Sequence, residues 1–228
     1  MLTLFSPQQR SSPMAESEYG PLGRSGKRSG DPVWWDRGFL PHFESQDHIQ
    51  HVCFHLVDSL PASAVQQMAE ELKSVPPILR DAEREKRFHA YLDAGHGACW
   101  LRDPRVAEMV QGAFLFFQGA RYELHEWCVM PNHVHVLFQP TNGWTMSKSV
   151  ASWKAFTGRK ISEWRIMTGR DTGAQGGPVW QREYYDRFIR DETHYENVVE
   201  YIREDPVKAG LVLRAEEWKF CSAGYGRG

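Results

Sequence analysis

The stretch that most constrains this 228-residue chain is Met130-Pro131-Asn132-His133-Val134-His135-Val136-Leu137-Phe138. Pro131 and Asn132 are turn residues, and the β-branched, apolar run after them favours extended structure. A second strand-like run, Arg121 to Val129, precedes the turn, so the two together predict a hairpin. Side chains alternate along a strand. His133, His135 and Leu137 therefore share one face, and Val134, Val136 and Phe138 share the other, where they can meet a core. Two imidazoles held side by side on a rigid strand can bind one divalent metal ion. They leave positions for a third protein ligand and a substrate oxygen. The same spacing also arises among ordinary strand histidines, so the pair alone does not make a site.

The chain is long enough for one domain of ordinary size with tails, and 41% apolar residues can fill a sizeable core. A net charge of -2 argues against a general polyanion binder. The balance is uneven, however: residues 146–190 hold nine Lys or Arg against four Asp or Glu. Lys154, Arg159, Lys160, Arg182 and Arg187 in this stretch are candidate contacts for a phosphate backbone. Solvated helix faces would give the same count. Cys53, Cys99, Cys128 and Cys221 are scattered with no C-x-x-C pair, which argues against a structural zinc site or a disulfide framework. Cys53 and Cys128 read as buried thiols. No membrane segment or signal peptide pattern is visible, and the expected location is the cytoplasm.

Residues 1–30 are rich in Ser, Gly, Pro and Arg without hydrophobic periodicity and are expected to form a disordered tail, leaving 31–228 as the domain. Asp31 to Glu44, with its aromatics, reads as an arm laid over the domain. Gln50 to Val57 reads as the first strand, with His55 as a satisfied strand histidine. A helical stretch from Ala62 to Asp93 follows, with a break expected at Pro76-Pro77 and Ser59 or Ser63 as its cap. A second helix opens at Asp103-Pro104 and runs to about Phe117. After the hairpin come a helix from Met146 to Met167, a Gly-rich loop from Thr168 to Pro178, and Val179 to Arg182 as a short last strand. A final helix from Asp191 should end before Pro206. The tail, with Trp218 and Tyr225, should pack back on the domain. This order predicts an α+β fold: a ferredoxin-like antiparallel sheet with helices packed on it.

The final helix carries a second informative pattern. Tyr195, Val198, Val199 and Ile202 form an apolar stripe that should face the sheet. His194, Asn197, Tyr201 and Asp205 form a neighbouring stripe, with Tyr201 and Asp205 one turn apart. A phenol near a metal can act as a nucleophile, and a carboxylate one turn on can complete the coordination. Phosphoryl transfer needs both a polarising ion and an oxygen nucleophile held in line. A half-buried tyrosine and a helix-ending aspartate are the ordinary alternative.

The chain resembles the REP-associated tyrosine transposases, members of the single-tyrosine HUH family. Four pieces carry the likeness, in matching order and spacing: Val129 to Leu137, Trp153-Lys154-Ala155-Phe156-Thr157, Val179 to Asp186, and Tyr201 to Val212. The resemblance runs from about Asp31 to Trp218. It implies a ferredoxin-like catalytic domain that cleaves and rejoins single-stranded DNA at hairpins, acting as a monomer or a homodimer. It also implies a Mg²⁺ or Mn²⁺ ion held by His133, His135 and Asp205, and Tyr201 as the nucleophile that keeps the 5′ phosphate. The family usually has an amide at the position of Asp205, but aspartate is a good ligand for hard cations. A hairpin-binding module that does not cut, and a hydrolase in which Tyr201 only orients water, are the competing classes. A trapped protein–DNA adduct separates the first reading from both.

Overall fold

The computed structural model describes residues 33–36, 41–45, 48–170 and 177–226. The expected tail of residues 1–30 and part of the Gly-rich loop lie outside these. In chain order the elements are β1 (Val33–Asp36), β2 (Pro41–Glu44), β3 (Gln50–His55), α1 (Ala62–Leu72), α2 (Arg80–Asp93), α3 (Pro104–Leu115), β4 (Tyr122–Val129), β5 (His133–Pro140), α4 (Met146–Met167), β6 (Tyr185–Phe188) and α5 (Glu192–Lys208). β1 and β2 form a small hairpin. The other four strands form one sheet in the order β4-β5-β3-β6, every neighbouring pair antiparallel. Each crossover joins strands that run parallel with one antiparallel strand between them: β3 to β4 across β5, and β5 to β6 across β3. That is the split β-α-β arrangement of a ferredoxin-like sheet, as expected from the sequence.

Alternation along the central strands gives the sheet two different faces. Val52 and Phe54 of β3 with Leu56 just after it, Val134, Val136 and Phe138 of β5, and Trp127 and Val129 of β4 join the main core with Val106, Val110 and Phe114 of α3 and Val150, Trp153 and Ile161 of α4. Inside that core Trp153 Nε1 donates to Tyr122 Oη at 3.0 Å, and Tyr122 Oη donates to the Phe114 carbonyl at 2.7 Å. The opposite face carries Cys128, Met130 and Leu137, which pack against Ile202 of α5. Arg203 of α5 pairs with Glu126 of β4, fixing the helix to the edge of the sheet.

Both edges of the sheet are covered. The C-terminal segment runs beside β4: Val129 N donates to Phe220 O and Ser222 N to Trp127 O, each at 2.9 Å. Trp218 and Tyr225 do pack back, through an indole bond to the Val129 carbonyl and ring contact with Trp127. At the other edge, Phe43 N of β2 donates to Asp186 Oδ2, and its ring lies 4.5 Å from that of Phe188. The described part of the aromatic arm thus docks on β6.

The first long helical stretch breaks at Pro76-Pro77 as expected, giving α1 and α2 with a short 3-10 turn at Pro77–Leu79 between them. Other boundaries differ from the sequence reading. Pro61, not a serine, precedes α1, and Ser59 instead bonds the Leu56 carbonyl and the His55 imidazole. Val179 to Gln181 only flanks the end of β3, with a single bridge at Trp180. Lys154 occupies the carbonyls of Gln181 and Arg182 at 2.6 and 2.7 Å, taking the acceptors that a ladder would use. The last strand therefore forms later, at β6. Finally, α5 runs through Pro206 to Lys208. A proline nitrogen cannot donate to the carbonyl four residues back, here that of Ile202, and the Cys221 thiol approaches that oxygen at 3.8 Å. The helix then stops at Gly210, whose φ of +68° closes the end: Gly210 N donates to the Val207 carbonyl and Leu211 N to that of Pro206.

Thr157 ties α4 to the segment before β6: its hydroxyl donates to the Trp153 carbonyl and accepts from Trp180 Nε1 at 2.9 Å, with no exposure at all. Thr157→Val strands a buried indole N–H, and urea unfolding should report a loss of about 1–3 kcal/mol.

Candidate active site

β5 delivers His133 and His135 to the face opposite the main core, as its alternation requires. Both are fully buried. Their Nε2 atoms lie 3.1 Å apart. α5 brings Asp205 over them, with Oδ2 at 3.4 Å from His133 Nε2 and 3.5 Å from His135 Nε2. α2 adds Asp93, whose Oδ1 lies 3.6 Å from His133 Nε2. Tyr201, one turn before Asp205, sets its ring centroid 5.2 Å from that of His135.

The tautomer of His133 follows from its surroundings. Asn132 donates its amide to the carbonyls of Leu92 and His96 at 3.1 and 3.0 Å, which leaves Asn132 Oδ1 to accept from His133 Nδ1 at 2.8 Å. His133 Nε2 therefore presents its lone pair to the site. His135 Nδ1 bonds His51 Nε2 at 3.0 Å. Burial, then His133, His51 and His89, holds the His135 imidazole well below its usual range. Burial pushes His51 down to about 3, with His194 and Arg187 adding to it. The His51 and His135 rings are thus neutral.

The carboxylates tell the same story from the acidic side. Among the described residues neither oxygen of Asp205 has a hydrogen-bond partner, although the residue is fully buried, and Asp93 Oδ1 and the Tyr201 hydroxyl are likewise unpartnered. Orphaned buried oxygens beside neutral imidazole nitrogens are costly unless a cation joins them. Three atoms at these separations suit an ion with ligand bonds of about 2.0–2.2 Å. His133, His135 and Asp205 therefore fit a divalent cation. Burial raises the Tyr201 phenol far above the ordinary tyrosine value, with Asp205 and then Asp93 adding to the shift. The Lys208 ammonium stands 5.3 Å from the Tyr201 ring centroid. A cavity of about 100 Å³ opens beside this cluster, with Asp93, His133, Asn132, Arg102 and Leu211 in its wall.

The four residues singled out on β5 and α5 come together. The rest of the α5 stripe does not: Asn197 is exposed, and His194 accepts from Arg190 N at the start of the helix. Tyr195 bonds His125, Tyr184 stacks near His42, and Tyr185 lies against His89. His55 bonds Ser59 and the Leu56 carbonyl, a satisfied strand histidine as expected. The five basic residues are dispersed. Arg187 pairs across β3 with His51 on the site face and bonds Glu85 at 2.6 Å. Arg182 is 81% exposed. Lys154 is bound to backbone carbonyls, and Arg159 and Lys160, both beside Glu163, belong to α4 behind the sheet. Sequence reasoning missed His89 and Asp93. Their i, i+4 spacing on α2 places them on one side of that helix, but the surrounding charges make it read as a solvated surface.

The family model for IS200-like transposases matches residues 104–205. A REP-associated tyrosine transposase of Escherichia coli is 29% identical over 100 residues, covering 43% of this chain and 53% of that protein. A Haemophilus influenzae protein provisionally described by the same name is 31% identical over 97 residues, covering 42% and 55%. The chain thus spans about half the length of the curated relatives it matches. The solved structure of a REP-associated tyrosine transposase bound to a REP hairpin aligns with a TM-score of 0.47 at 17% identity, over 79% of this chain and 78% of that one.

Burial, with the nearby Asp205 carboxylate adding to it, pushes Asp93 up to about 7. A carboxyl that holds its proton more tightly when folded stabilises the fold below its unfolded value, and that stability is lost as pH rises through about 7. Urea unfolding in the presence of a chelator should therefore show stability falling between pH 5 and pH 8, by an amount on the order of a few kcal/mol. Asp93→Asn should flatten that slope.

Proposed function

Because residues 104–205 carry the IS200-like transposase pattern and the chain resembles the REP-associated tyrosine transposases, we propose that it cleaves and rejoins single-stranded DNA at hairpins of the REP type. The reaction depends on Mg²⁺ or Mn²⁺ and passes through a covalent 5′-phosphotyrosine. The observation that carries this reading is the meeting of an unpartnered buried hydroxyl, Tyr201, with an unpartnered buried carboxylate, Asp205, and two imidazole nitrogens. A binding module has no need for that costly convergence.

His133, His135 and Asp205 would hold the ion. When bound it supplies positive charge that polarises the scissile phosphate and eases loss of the phenolic proton. α5 holds Tyr201 in a fixed relation to Asp205, so the nucleophile and one ligand move as a unit. Tyr201 Oη gives up its proton and bonds to phosphorus. The bond from phosphorus to the 3′ oxygen breaks, and that oxygen leaves as a hydroxyl after taking up a proton. The phosphotyrosine conserves the energy of the broken diester, so attack by a free 3′ hydroxyl reverses the step. Asn132 orients His133, and burial keeps the His135 imidazole unprotonated as a ligand. Arg182, Arg187, Lys154, Arg159 and Lys160 are the proposed backbone contacts. Arg187 on the site face and the exposed Arg182 are the best placed.

Incubation with Mn²⁺ and labelled hairpin oligonucleotides, followed by denaturing gels, tests the proposal. The wild type should yield a covalent adduct, and Tyr201→Phe should bind DNA and metal but yield none. An adduct that persists in Tyr201→Phe, or that maps to Tyr185, would sink the assignment.

The domain proper is proposed to begin at residue 31. A chain starting there should fold and cleave at the full-length rate. Loss of cleavage in a well-folded truncation would assign the first 30 residues a role in the reaction.

A further inference from the structure

Next to the proposed catalytic ligands lies a second convergence of ligand atoms with a different chemical character. Cys53, His89 and His135 each bring one ligand atom, a sulfur or an imidazole nitrogen, to within 4.8 Å of the others, and all three residues are buried. The arrangement follows from the fold. Cys53 and His135 are direct partners in the β3–β5 ladder, so their side chains leave the sheet together on one face. His89 reaches them from α2, with its ring 5.3 Å from that of His135.

The ordinary account of such residues is packing. A buried cysteine behaves as a small hydrophobe, and His89 does contact the rings of Phe88 and Tyr185. Packing leaves one atom unexplained. His89 is only 7% exposed, and its Nδ1 has no hydrogen-bond partner among the described residues. Buried ring nitrogens normally find one. Here the nitrogen belongs to a side chain that already converges with a thiol and a second imidazole.

We propose that Cys53, His89 and His135 form a second cation site, suited to a thiolate-seeking ion such as Zn²⁺, and that its filling excludes the hard cation of the catalytic set. The donor sets differ in kind. Two imidazoles with a carboxylate accept Mg²⁺ or Mn²⁺, whereas a thiolate with two imidazoles selects zinc. His135 belongs to both sets, so the two ions compete for one residue. Zinc bonds of about 2.0–2.3 Å draw the three side chains inward from their present spacing. On binding, the Cys53 thiol gives its proton to solvent. The Tyr201 ring borders the same space, 5.5 Å from His89 and 5.2 Å from His135. Zinc there would also crowd the proposed nucleophile. The exclusion rests on His135 serving the catalytic ion. The existence of the thiolate site does not.

Co²⁺ bound to the full chain reads the site directly. The wild type should show a near-ultraviolet thiolate-to-cobalt charge-transfer band. Cys53→Ala should lose it, His89→Gln should lose or greatly weaken it, and Asp205→Asn should keep it. Circular dichroism checks that each variant folds, and His89→Gln serves if the buried Cys53→Ala does not. Absence of the band in wild type, or its survival in Cys53→Ala, overturns the proposal. Competition is read by electron paramagnetic resonance of displaced Mn²⁺. Zinc should release Mn²⁺ from the wild type, and His89→Gln should need at least about tenfold more zinc for the same release. Equal zinc demand in both would mean that zinc simply enters the His133–His135–Asp205 set, and the shared-ligand idea fails. A wild type that binds no Mn²⁺ but shows the cobalt band would instead strike the catalytic reading and leave the thiolate site standing.

Discussion

The structure depends on β5 being paired on both sides. A strand flanked by β4 and β3 has all its backbone groups engaged, so its side chains can leave the sheet only up or down. In β5 the two directions meet opposite environments. Val134, Val136 and Phe138 enter the apolar core under α3 and α4, while His133 and His135 enter a polar, water-poor space under α2 and α5. A slip of one residue would exchange the two sets. It would bury imidazoles among Trp153 and Phe114 and turn valines toward Asp205. The core therefore enforces the register that the candidate site requires, and hydrophobic packing on one face positions polar groups on the other.

The electrostatics of the polar face are those of a site short of positive charge. Burial raises the proton affinity of Asp93, and the nearby Asp205 carboxylate presses in the same direction. Burial keeps the His51, His89 and His135 imidazoles neutral. Among the described residues no conventional hydrogen bond relieves the Asp205 oxygens. Such an arrangement is expensive to fold as it stands, and proteins accept that cost where ligand binding returns it.

Much of this was legible in the sequence because it rests on local periodicity. The alternation of His133 to Phe138 gave both faces of β5, and the one-turn spacing of Tyr201 and Asp205 put them on one side of α5. The order of elements predicted the sheet. What was not legible depends on contacts between distant segments. Val179 to Arg182 reads as a strand until Lys154, from another element, takes its carbonyls. Pro206 reads as a helix stop until Cys221 supplies a partner for the carbonyl it frees. Asp93 and His89 sit on a helix whose many charges resemble a solvated surface, and only the packing of α2 over β3 and β5 reveals that one side of it faces inward. The basic stretch of 146–190 is the reverse case: one cluster in sequence that the fold divides between α4 and the neighbourhood of β6.

The covered edges of the sheet carry a consequence for recognition. Many proteins capture extended partners by offering a free strand edge, to which the guest adds backbone hydrogen bonds. At Trp127 and Val129 of β4 those bonds are already taken by the chain's own Phe220 and Ser222, and β2 stands beside β6, held to the Asp186 side chain. Self-association by edge pairing is blocked at the same places. A partner meeting those stretches finds side chains presented from helices and loops, residues that can change without disturbing the sheet beneath them.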